Sequence, residues 1–480
     1  MKKRNHPHKK TVHFIGIGGI GVSALARYFL SKNYKVSGSD ASRSEITDQF
    51  KKEGVDILIG HKPSNISKSA SRRIDSIIHS AAVKKDNPEI KKAEEFGIPL
   101  KSYAQALGEL TRQYKTIAVS GAHGKSTTTA MLSLVLIKAG FDPTVIIGTK
   151  LKEFGGKNFR SGKSKLLVIE ADEYSGAFLN YSPFSAIITN IDREHLDYYK
   201  NLAEIKNVFL KFIGNIQHDG ILILNKDDKN LYSLRDKIKK IAKKNKLKVY
   251  WHSIFPRQSA LSLRMSASLN VPGEHNISNA TAVYFLSKSL GIKENIILKA
   301  LSEYRGAWRR MEYRGNLKLR IKKSIIHNSK FIIPIYDDYA HHPTEIKATL
   351  AGIRSKWPKS AIICVFQPHQ EKRLKSLFKE FTGAFDDADA LILLDIFKVK
   401  GREETKQSVD SLKLAEAIKK RKSDLEIIYL PHSDKLKQVL KNLIIRNSQY
   451  SHTFADSHHI IVMMGAGDIY HHTKRLLVQK

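Results

Sequence analysis

Cysteine is almost absent from this sequence. Cys364 is the single cysteine among 480 residues, and it lies in the apolar run 361–366, where it is typical of a small core residue. One cysteine excludes a disulfide framework within the chain, and no zinc-finger spacing is present. The composition therefore favours a protein of a reducing compartment.

Long apolar runs are also missing. The N-terminal stretch 1–10 is basic and leads directly into a predicted strand, without the apolar region of a signal peptide. No other stretch reaches the length of a membrane span. We therefore expect a soluble, cytoplasmic protein without membrane insertion.

Acidic residues are few relative to basic ones. Lysine and arginine number 82 against 46 aspartates and glutamates, which gives a net charge of +36 at pH 7. Such an excess is compatible with nucleic-acid binding. However, the cations fall on the backs of amphipathic patterns such as 234–248 and 412–422, and no RNA-recognition signature is present. Solvated helix faces are the favoured interpretation, with attraction of anionic ligands as a consequence.

The chain is long enough for about three domains of ordinary size. Apolar strand patterns alternate with helical patterns along the whole sequence, which predicts three α/β units.

The first unit begins with a glycine-rich turn between a strand and a helix. Gly16-Ile-Gly-Gly-Ile-Gly21 follows the strand 11–15, and a second strand ends at Asp40 about twenty residues on. The pattern predicts that a diphosphate binds the turn, and Asp40 is either a ribose or base ligand or a turn former. The strand in 74–83 ends at 79–82, beside the same crevice. The pattern leaves open which nucleotide binds, so a nicotinamide cofactor is an alternative.

The second unit starts with a predicted phosphate cradle. The strand around 117–119 is followed by Gly121, Gly124, Lys125 and Ser126, where a helix begins. Backbone N–H groups, the Lys125 ammonium and the Ser126 hydroxyl suit a triphosphate with magnesium. The alternative is a strand-to-helix turn that uses glycine for its shape alone.

Polar residues follow several later strands of this unit. Three acids stand at the end of the strand 165–173, where carboxylates are suited to hold magnesium against phosphate. His195 follows another strand end and is a candidate ligand. Asn276 and Asn279 lie three residues apart on a predicted helix, next to His275, and carboxamides there can recognise a purine edge.

The third unit repeats this arrangement in 336–345, 365–373 and 391–395. His341 and His342 are adjacent, and neighbours on an extended chain point in opposite directions, so a shared zinc ion is disfavoured.

Taken in order, these motifs resemble the Mur ligase family over nearly all of the chain. The segments that carry the resemblance are 16–23, 121–129, 170–174, 190–195, 272–276, 309–312, 337–345 and 367–369. The resemblance implies an α/β fold of three domains: a Rossmann-like UDP-binding domain (1–114), a central P-loop ATPase-like domain with a parallel sheet (115–314) and a C-terminal Rossmann-like, amino-acid-binding domain (315–480).

The resemblance also implies a reaction. ATP would phosphorylate the carboxylate of UDP-N-acetylmuramate, and the amino group of L-alanine would attack the resulting acyl phosphate, with Mg²⁺ as cofactor. A family member that adds a tripeptide to the same sugar nucleotide is the nearest alternative. The implied partners are these small molecules and no nucleic acid, with a monomer or weak homodimer as the state of the chain.

Site residues follow from the matching motifs. The implied catalytic residues are Lys125, Glu173 and His195, and the implied metal ligands are Ser126, Glu170 and His195. The implied ATP ligands are Gly121, His123, Gly124, Lys125, Ser126, Thr127, His275, Asn276, Asn279, Arg310 and Asp338. UDP-sugar binding is implied for Gly18, Gly19, Gly21, Asp40, Ser80 and His123, and amino-acid binding for Tyr339, His341 and Arg373.

Overall fold

The computed structural model describes residues 9–67, 73–195, 198–256, 259–320, 330–398, 409–450 and 459–478. Most of the basic N-terminal stretch lies outside the described residues. The chain divides into two compact units. The larger unit comprises Met1–Glu194, Asn201–Ser268 and Ser278–Ser302, and the smaller unit comprises His195–Lys200, Leu269–Ile277 and Glu303–Lys480.

The larger unit begins with a five-stranded parallel sheet in the order β3-β2-β1-β4-β5. Its elements are β1 (Thr11–Ile15), α1 (Ile20–Ser31), β2 (Lys35–Asp40), α2 (Glu45–Lys52), β3 (Asp56–Ile59), β4 (Ser76–His79), α3 (Pro88–Glu95), β5 (Leu100–Ser102) and α4 (Tyr103–Gln113). The strand order reverses between β1 and β4, and ligands of such sheets bind at the carboxyl ends of the strands beside that reversal.

A second, seven-stranded sheet of the larger unit has the order β12-β11-β10-β6-β9-β7-β8. All neighbours are parallel except the hairpin of β7 and β8. Its elements, with their helices, are β6 (Lys115–Ser120), α5 (Lys125–Lys138), β7 (Thr144–Leu151), β8 (Lys157–Arg160), β9 (Leu166–Glu170), β10 (Ser185–Ile188), α6 (Leu202–Gly214), β11 (Ile221–Asn225), α7 (Lys229–Tyr232), α8 (Arg235–Lys244), β12 (Lys248–His252), α9 (Ala260–Ser268), α10 (Glu274–Ser289) and α11 (Glu294–Glu303).

The central strands of this sheet are apolar throughout because helices cover both faces of a parallel sheet. Every residue of β10 is buried, and β6 is buried from its second residue onward. The lysine-rich helix α8 buries Ile238 and Ala242 and exposes its charges, as the helical spacing predicted. Tight packing of the strands fixes the positions of the loops at their carboxyl ends.

The smaller unit contains a six-stranded sheet in the order β13-β14-β18-β15-β16-β17. Only β13 is antiparallel to its neighbour among the described strands. Its elements are β13 (Glu312–Arg320), β14 (Lys330–Asp338), α12 (Pro343–Lys356), β15 (Ala361–Phe366), α13 (Glu371–Ser376), α14 (Phe378–Thr382), β16 (Ala390–Leu393), α15 (Ser411–Arg421), β17 (Glu426–Tyr429), α16 (Leu436–Tyr450), β18 (His459–Met464) and α17 (Ile469–Leu477).

Two apolar cores lie on opposite faces of this sheet, because side chains alternate along each strand. Cys364 is fully buried in one of them, as its apolar surroundings predicted. The predicted α/β fold class is confirmed. None of the described helices is long and apolar enough to span a bilayer.

Candidate active site

The first glycine-rich turn links β1 to α1 and is held by the end of β2. The N–H groups of Gly16 and Ile17 donate to the Ser39 carbonyl over 2.8 and 3.0 Å. The Gly18 N–H donates to Asp40 Oδ2 over 2.8 Å. Asp40 thus fixes the shape of the turn, which is one of the two roles that the sequence left open, and its contact with ribose or base stays a prediction.

Ser80 lies against this turn, because β1 and β4 are neighbours in the sheet. A Cβ at Gly16, where φ is +80°, would lie 2.9 Å from the Ser80 Cβ. Gly19 precedes α1 without a side-chain cap, so α1 begins with its backbone donors directed toward the turn. The structure therefore places Ser80 against the start of this turn, at Gly16, where the strand order of the first sheet reverses.

The second glycine-rich turn links β6 to α5. At Gly121, φ is +135°, and a Cβ there would lie 2.0 Å from Thr189 Oγ1, so no other residue fits. At Gly124, φ is +84°, and a Cβ would meet the Asn279 amide at 2.7 Å. Asn279 of α10 therefore lies beside the cradle, as the ATP assignment requires.

Residues that follow β10 hold the cradle in place. The His123 N–H donates to Asn190 Oδ1 over 2.8 Å, and the Asn190 amide donates back to the His123 carbonyl over 3.0 Å. His123 Nε2 lies 3.0 Å from Asp192 Oδ2. His123 is thus tied to the neighbouring strand end through both its backbone and its ring.

Lys125 extends back across the cradle toward the acids after β9. Its ammonium donates to the carbonyls of Gly121 and Ala122 and to Glu173 Oε2, the last over 2.8 Å. Burial by itself would lower the pKa of Lys125, but the charges of Glu173 and Asp172 raise it above its usual value. The ammonium therefore stays charged at neutral pH and can hold transferring phosphoryl oxygens.

Ser126 and Glu170 form the predicted hydroxyl and carboxylate pair. Ser126 Oγ donates to Glu170 Oε1 over 3.0 Å, and Gly148 N–H donates to Glu170 Oε2 over 2.9 Å. Burial raises the pKa of Glu170, while the Lys125 charge opposes that shift. A hydroxyl and a half-buried carboxylate side by side are oxygen ligands that fit a hard cation such as Mg²⁺. Thr127 follows as a buried residue in the first turn of α5.

In the smaller unit, Asp338 ends β14 and is 5% exposed. Its carboxylate accepts the N–H groups of Met311 and Ala340, each over 2.8 Å. Burial raises the pKa of Asp338, and the charge of Arg310 opposes the shift. Asp338 therefore organises the turns on either side of it in addition to any contact with ribose.

Arg310 and Tyr339 lie together. The Arg310 guanidinium carbon is 5.1 Å from the centre of the Tyr339 ring, and Arg310 Nη1 is 3.3 Å from Glu345 Oε1. The preceding residue, Arg309, is almost fully buried and donates to the carbonyls of Gly465 and Gly467. Arg309 thus anchors the segment that carries Arg310.

The predicted amino-acid residues are also neighbours. The rings of Tyr339 and His341 are 5.2 Å apart, and those of His341 and His369 are 6.0 Å apart. Arg373 Nη1 lies 3.3 Å from His369 Nδ1. His369 stacks on Phe397 with ring centres 5.6 Å apart. Tyr339, His341 and Arg373 therefore belong to one cluster of side chains in the smaller unit, with His369 between His341 and Arg373.

Three further predicted site residues, His275, Asn276 and His195, lie near the ends of helices or in turns. His275 and Asn276 lie in the first turn of α10, and this first turn belongs to the smaller unit while the helix from Ser278 onward belongs to the larger one. The Asn276 amide donates to the Pro272 carbonyl over 2.6 Å. One donor of the carboxamide is thus used within the chain. His195 has φ of +56°, and its carbonyl accepts the N–H groups of Tyr198 and Tyr199. Its role as a metal ligand stays a prediction.

Sequence reasoning assigned no role to Asp192, Arg309 or Glu345. Asp192 and Arg309 lie within motifs that the sequence singled out, and Glu345 ends another. Their contacts reach residues as distant in sequence as His123 and Gly465, so the motifs marked these positions without indicating which residues they contact.

Comparison with protein families gives three matches in chain order. Residues 11–115 match "Mur ligase family, catalytic domain", residues 119–286 match "Mur ligase middle domain", and residues 324–467 match "Mur ligase, glutamate ligase domain".

Curated relatives match over nearly the full length. The chain is 39% identical over 477 residues to a UDP-N-acetylmuramate–L-alanine ligase of Clostridium kluyveri, covering 96% of each chain. It is 40% identical over 481 residues to the ligase of the same name from Acetivibrio thermocellus, covering 97% of this chain and 95% of the relative.

Among solved structures, the UDP-N-acetylmuramate-alanine ligase of Thermotoga maritima aligns over 98% of both chains with a TM-score of 0.74 and 27% identity. A murein peptide ligase of Psychrobacter arcticus aligns over 98% of both chains with a TM-score of 0.64 and 22% identity, which is a likeness of fold.

Proposed function

The chain belongs to the Mur ligase family, and from this premise we propose that it joins L-alanine to the carboxylate of UDP-N-acetylmuramate at the expense of ATP. The observation that carries the proposal is the cradle after β6. It holds two adjacent pairs, the charged Lys125 on the buried carboxylate of Glu173 and the Ser126 hydroxyl on the half-buried carboxylate of Glu170. The same compact unit also carries the first glycine-rich turn, between β1 and α1, which suits the diphosphate of the sugar nucleotide.

The reaction takes two steps. A carboxylate oxygen of the sugar nucleotide attacks the γ-phosphorus of ATP, the bond to the β,γ-bridging oxygen breaks, and ADP leaves. The amino group of L-alanine then attacks the acyl carbon, and the tetrahedral intermediate expels phosphate and loses a proton to give the amide. Each step brings anions together, so positive charge and positioned donors lower the barrier.

Lys125 neutralises the transferring phosphoryl group and, through Glu173, stays fixed in the cradle. Ser126 and Glu170 would hold Mg²⁺, which would supply positive charge that offsets the negative charge of the phosphate groups. His195 is the proposed ligand of a second ion. Glu173 is also the proposed acceptor of the amine proton, because it is the buried carboxylate nearest to Lys125.

The remaining roles divide by substrate. We assign the adenine side of ATP to His275, Asn276 and Asn279, and phosphate and ribose contacts to Arg310 and Asp338. L-alanine is assigned to Tyr339, His341 and Arg373, with the guanidinium paired to the alanine carboxylate. The sugar nucleotide is assigned to Gly18, Gly19, Gly21, Ser80 and His123, with Asp40 shaping the turn.

This reaction adds the first amino acid of the peptidoglycan stem peptide and thereby serves cell-wall synthesis, cell shape and division. We place it in the cytoplasm, where ATP and nucleotide sugars are available. We expect a monomer or weak homodimer without a nucleic-acid partner. We propose that residues 1–114 bind the UDP-sugar, residues 115–314 bind ATP and residues 315–480 bind the amino acid.

The test is phosphate release from ATP in the presence of UDP-N-acetylmuramate, with L-alanine, glycine, L-serine or the stem tripeptide as the acceptor. We expect the highest kcat/KM with L-alanine and dependence of the release on the sugar nucleotide. Release with the tripeptide and none with L-alanine would establish the alternative ligase activity. No release above background with any acceptor would refute the proposal.

A further inference from the structure

Tyr103 stands at the junction of the two sheets of the larger unit. It is the first residue of α4, which begins directly after β5 and leads to β6. Ser102 caps the helix, since its hydroxyl accepts the Gln105 N–H over 3.2 Å and its own N–H donates to Gln105 Oε1 over 2.8 Å. The start of α4 is therefore fixed at the carboxyl edge of the first sheet.

The body of α4 packs on the segment that follows the acids of the second sheet. A Cβ at Gly108 would lie 2.4 Å from the Asn180 carbonyl oxygen, so helix and segment are in close contact. Thr111 Oγ1 accepts the Ser182 N–H over 3.1 Å. Because α4 is fixed at both places, Tyr103 occupies a defined position relative to both glycine-rich turns.

The Tyr103 ring faces the first turn. A Cβ at Gly21 would lie 3.2 Å from both Cζ and Oη of Tyr103, so the hydroxyl end of the ring stands over the last glycine of the first turn. A larger residue at position 21 would push this ring away. The absence of a side chain at this position, the second residue of α1, thus permits the close approach of Tyr103.

The same ring is close to the acids of the cradle. Burial, and after it the negative charges of Glu170 and Asp172, raise the pKa of Tyr103 above its usual value. The phenol therefore remains protonated across the physiological range and acts as an uncharged donor. No described group of the chain accepts a hydrogen bond from its hydroxyl, and the side chain is partly exposed.

We propose that the Tyr103 hydroxyl donates a hydrogen bond to an anionic oxygen of the sugar nucleotide where that substrate passes from the first turn to the cradle. This inference rests on the proposed function. The reactive carboxylate must approach the γ-phosphate beside Glu170, Asp172 and Glu173. A neutral donor stabilises an anion there without forming an ion pair with those acids.

Two anionic groups of the substrate could accept this bond, the diphosphate and the muramoyl carboxylate. UDP-N-acetylglucosamine carries the diphosphate and lacks the carboxylate, so it separates the two acceptors. Loss of affinity for both nucleotides indicates the diphosphate, and loss for UDP-N-acetylmuramate alone indicates the carboxylate.

The experiment compares Tyr103→Phe with Tyr114→Phe in the full chain. Tyr114 follows the other end of α4, and its hydroxyl lies 3.3 Å from that of Tyr28. Calorimetric titration without ATP measures the Kd of each sugar nucleotide, and steady-state assays measure the KM values for ATP and L-alanine. Circular dichroism and thermal unfolding verify that both variants fold.

For Tyr103→Phe we expect about tenfold weaker binding of UDP-N-acetylmuramate, equivalent to about 1.4 kcal/mol. The KM values for ATP and L-alanine should stay close to those of the parent, and Tyr114→Phe should bind like the parent. Unchanged affinity of a folded Tyr103→Phe chain would overturn the inference while leaving the proposed function intact. Failure of the parent chain to release phosphate would instead overturn the proposed function.

Discussion

His252 provides a quantitative test of the packing of the larger unit. It ends the edge strand β12, is 1% exposed, and neither ring nitrogen has a hydrogen-bond partner. Its ring lies 6.4 Å from that of Phe285. Burial lowers the pKa of His252 to about 4, from an ordinary value of 6.5. The folded chain therefore keeps this imidazole neutral at pH values where the unfolded chain protonates it.

The sign of the effect follows from proton binding. As the pH falls below 6.5, the His252 imidazole binds a proton in the unfolded state and stays neutral in the folded state. The free energy of unfolding therefore decreases until the pH reaches the pKa of the folded state. Between pH 7.5 and 5.0 the loss is about 2 kcal/mol, and it approaches about 3.4 kcal/mol below pH 4. His252→Phe removes this titration and keeps an aromatic ring beside Phe285.

Urea unfolding of the full chain at both pH values measures the effect, with tryptophan fluorescence as the signal, since Trp251 is adjacent in sequence. Other titrating groups contribute equally to parent and variant. We therefore expect the parent to lose about 2 kcal/mol more than His252→Phe over this interval. His218→Gln, at an exposed histidine, serves as the control and should lose as much as the parent. Equal losses in the parent and His252→Phe would refute the argument.

Three further substitutions test the candidate site. Lys125→Ala should abolish phosphate release without unfolding the chain, whereas Lys138→Ala at the far end of α5 should remain active; near-normal turnover of Lys125→Ala would contradict its role. Arg373→Ala should raise the KM for L-alanine by a factor corresponding to about 1.5 to 3 kcal/mol, because a charged hydrogen bond is lost. An unchanged KM would remove Arg373 from the alanine site. Gly121→Ala should weaken ATP binding in a titration with the nucleotide, because its Cβ would collide with Thr189 Oγ1 at 2.0 Å; parent-like affinity would show that the cradle tolerates a side chain.

Local sequence patterns were sufficient for the elements of this protein. The turn 16–21 and the cradle 121–126 were predicted because strand, glycine turn and helix start lie within one short segment, where backbone geometry depends on near neighbours. The amphipathic helix α8 was predicted for the same reason. The family resemblance added the order of the three units and the roles of the residues.

The partners of the site residues could not be predicted in this way. Asp40 accepts the Gly18 N–H across 22 residues, and Tyr103 lies over Gly21 across a still longer separation. These contacts arise because β1 pairs with β2 and β4, while α4 packs on the segment after the acids. The order of the strands in the sheet determines which distant residues become neighbours. That order depends on which apolar faces pack together in the folded chain.

The sequence by itself determined where the two glycine-rich turns lie between strand and helix, because glycine spacing and the start of a helix are local properties. Only the tertiary structure decided that Tyr103 lies against Gly21 of the first turn while its helix packs on the segment after the acids of the second sheet. The position of Tyr103 depends on α4, because Ser102 caps the start of this helix at the first sheet and Thr111 in its body contacts the segment that follows the acids of the second sheet. Tyr103 derives its proposed role from this position, since residues distant in sequence meet only when both sheets have formed.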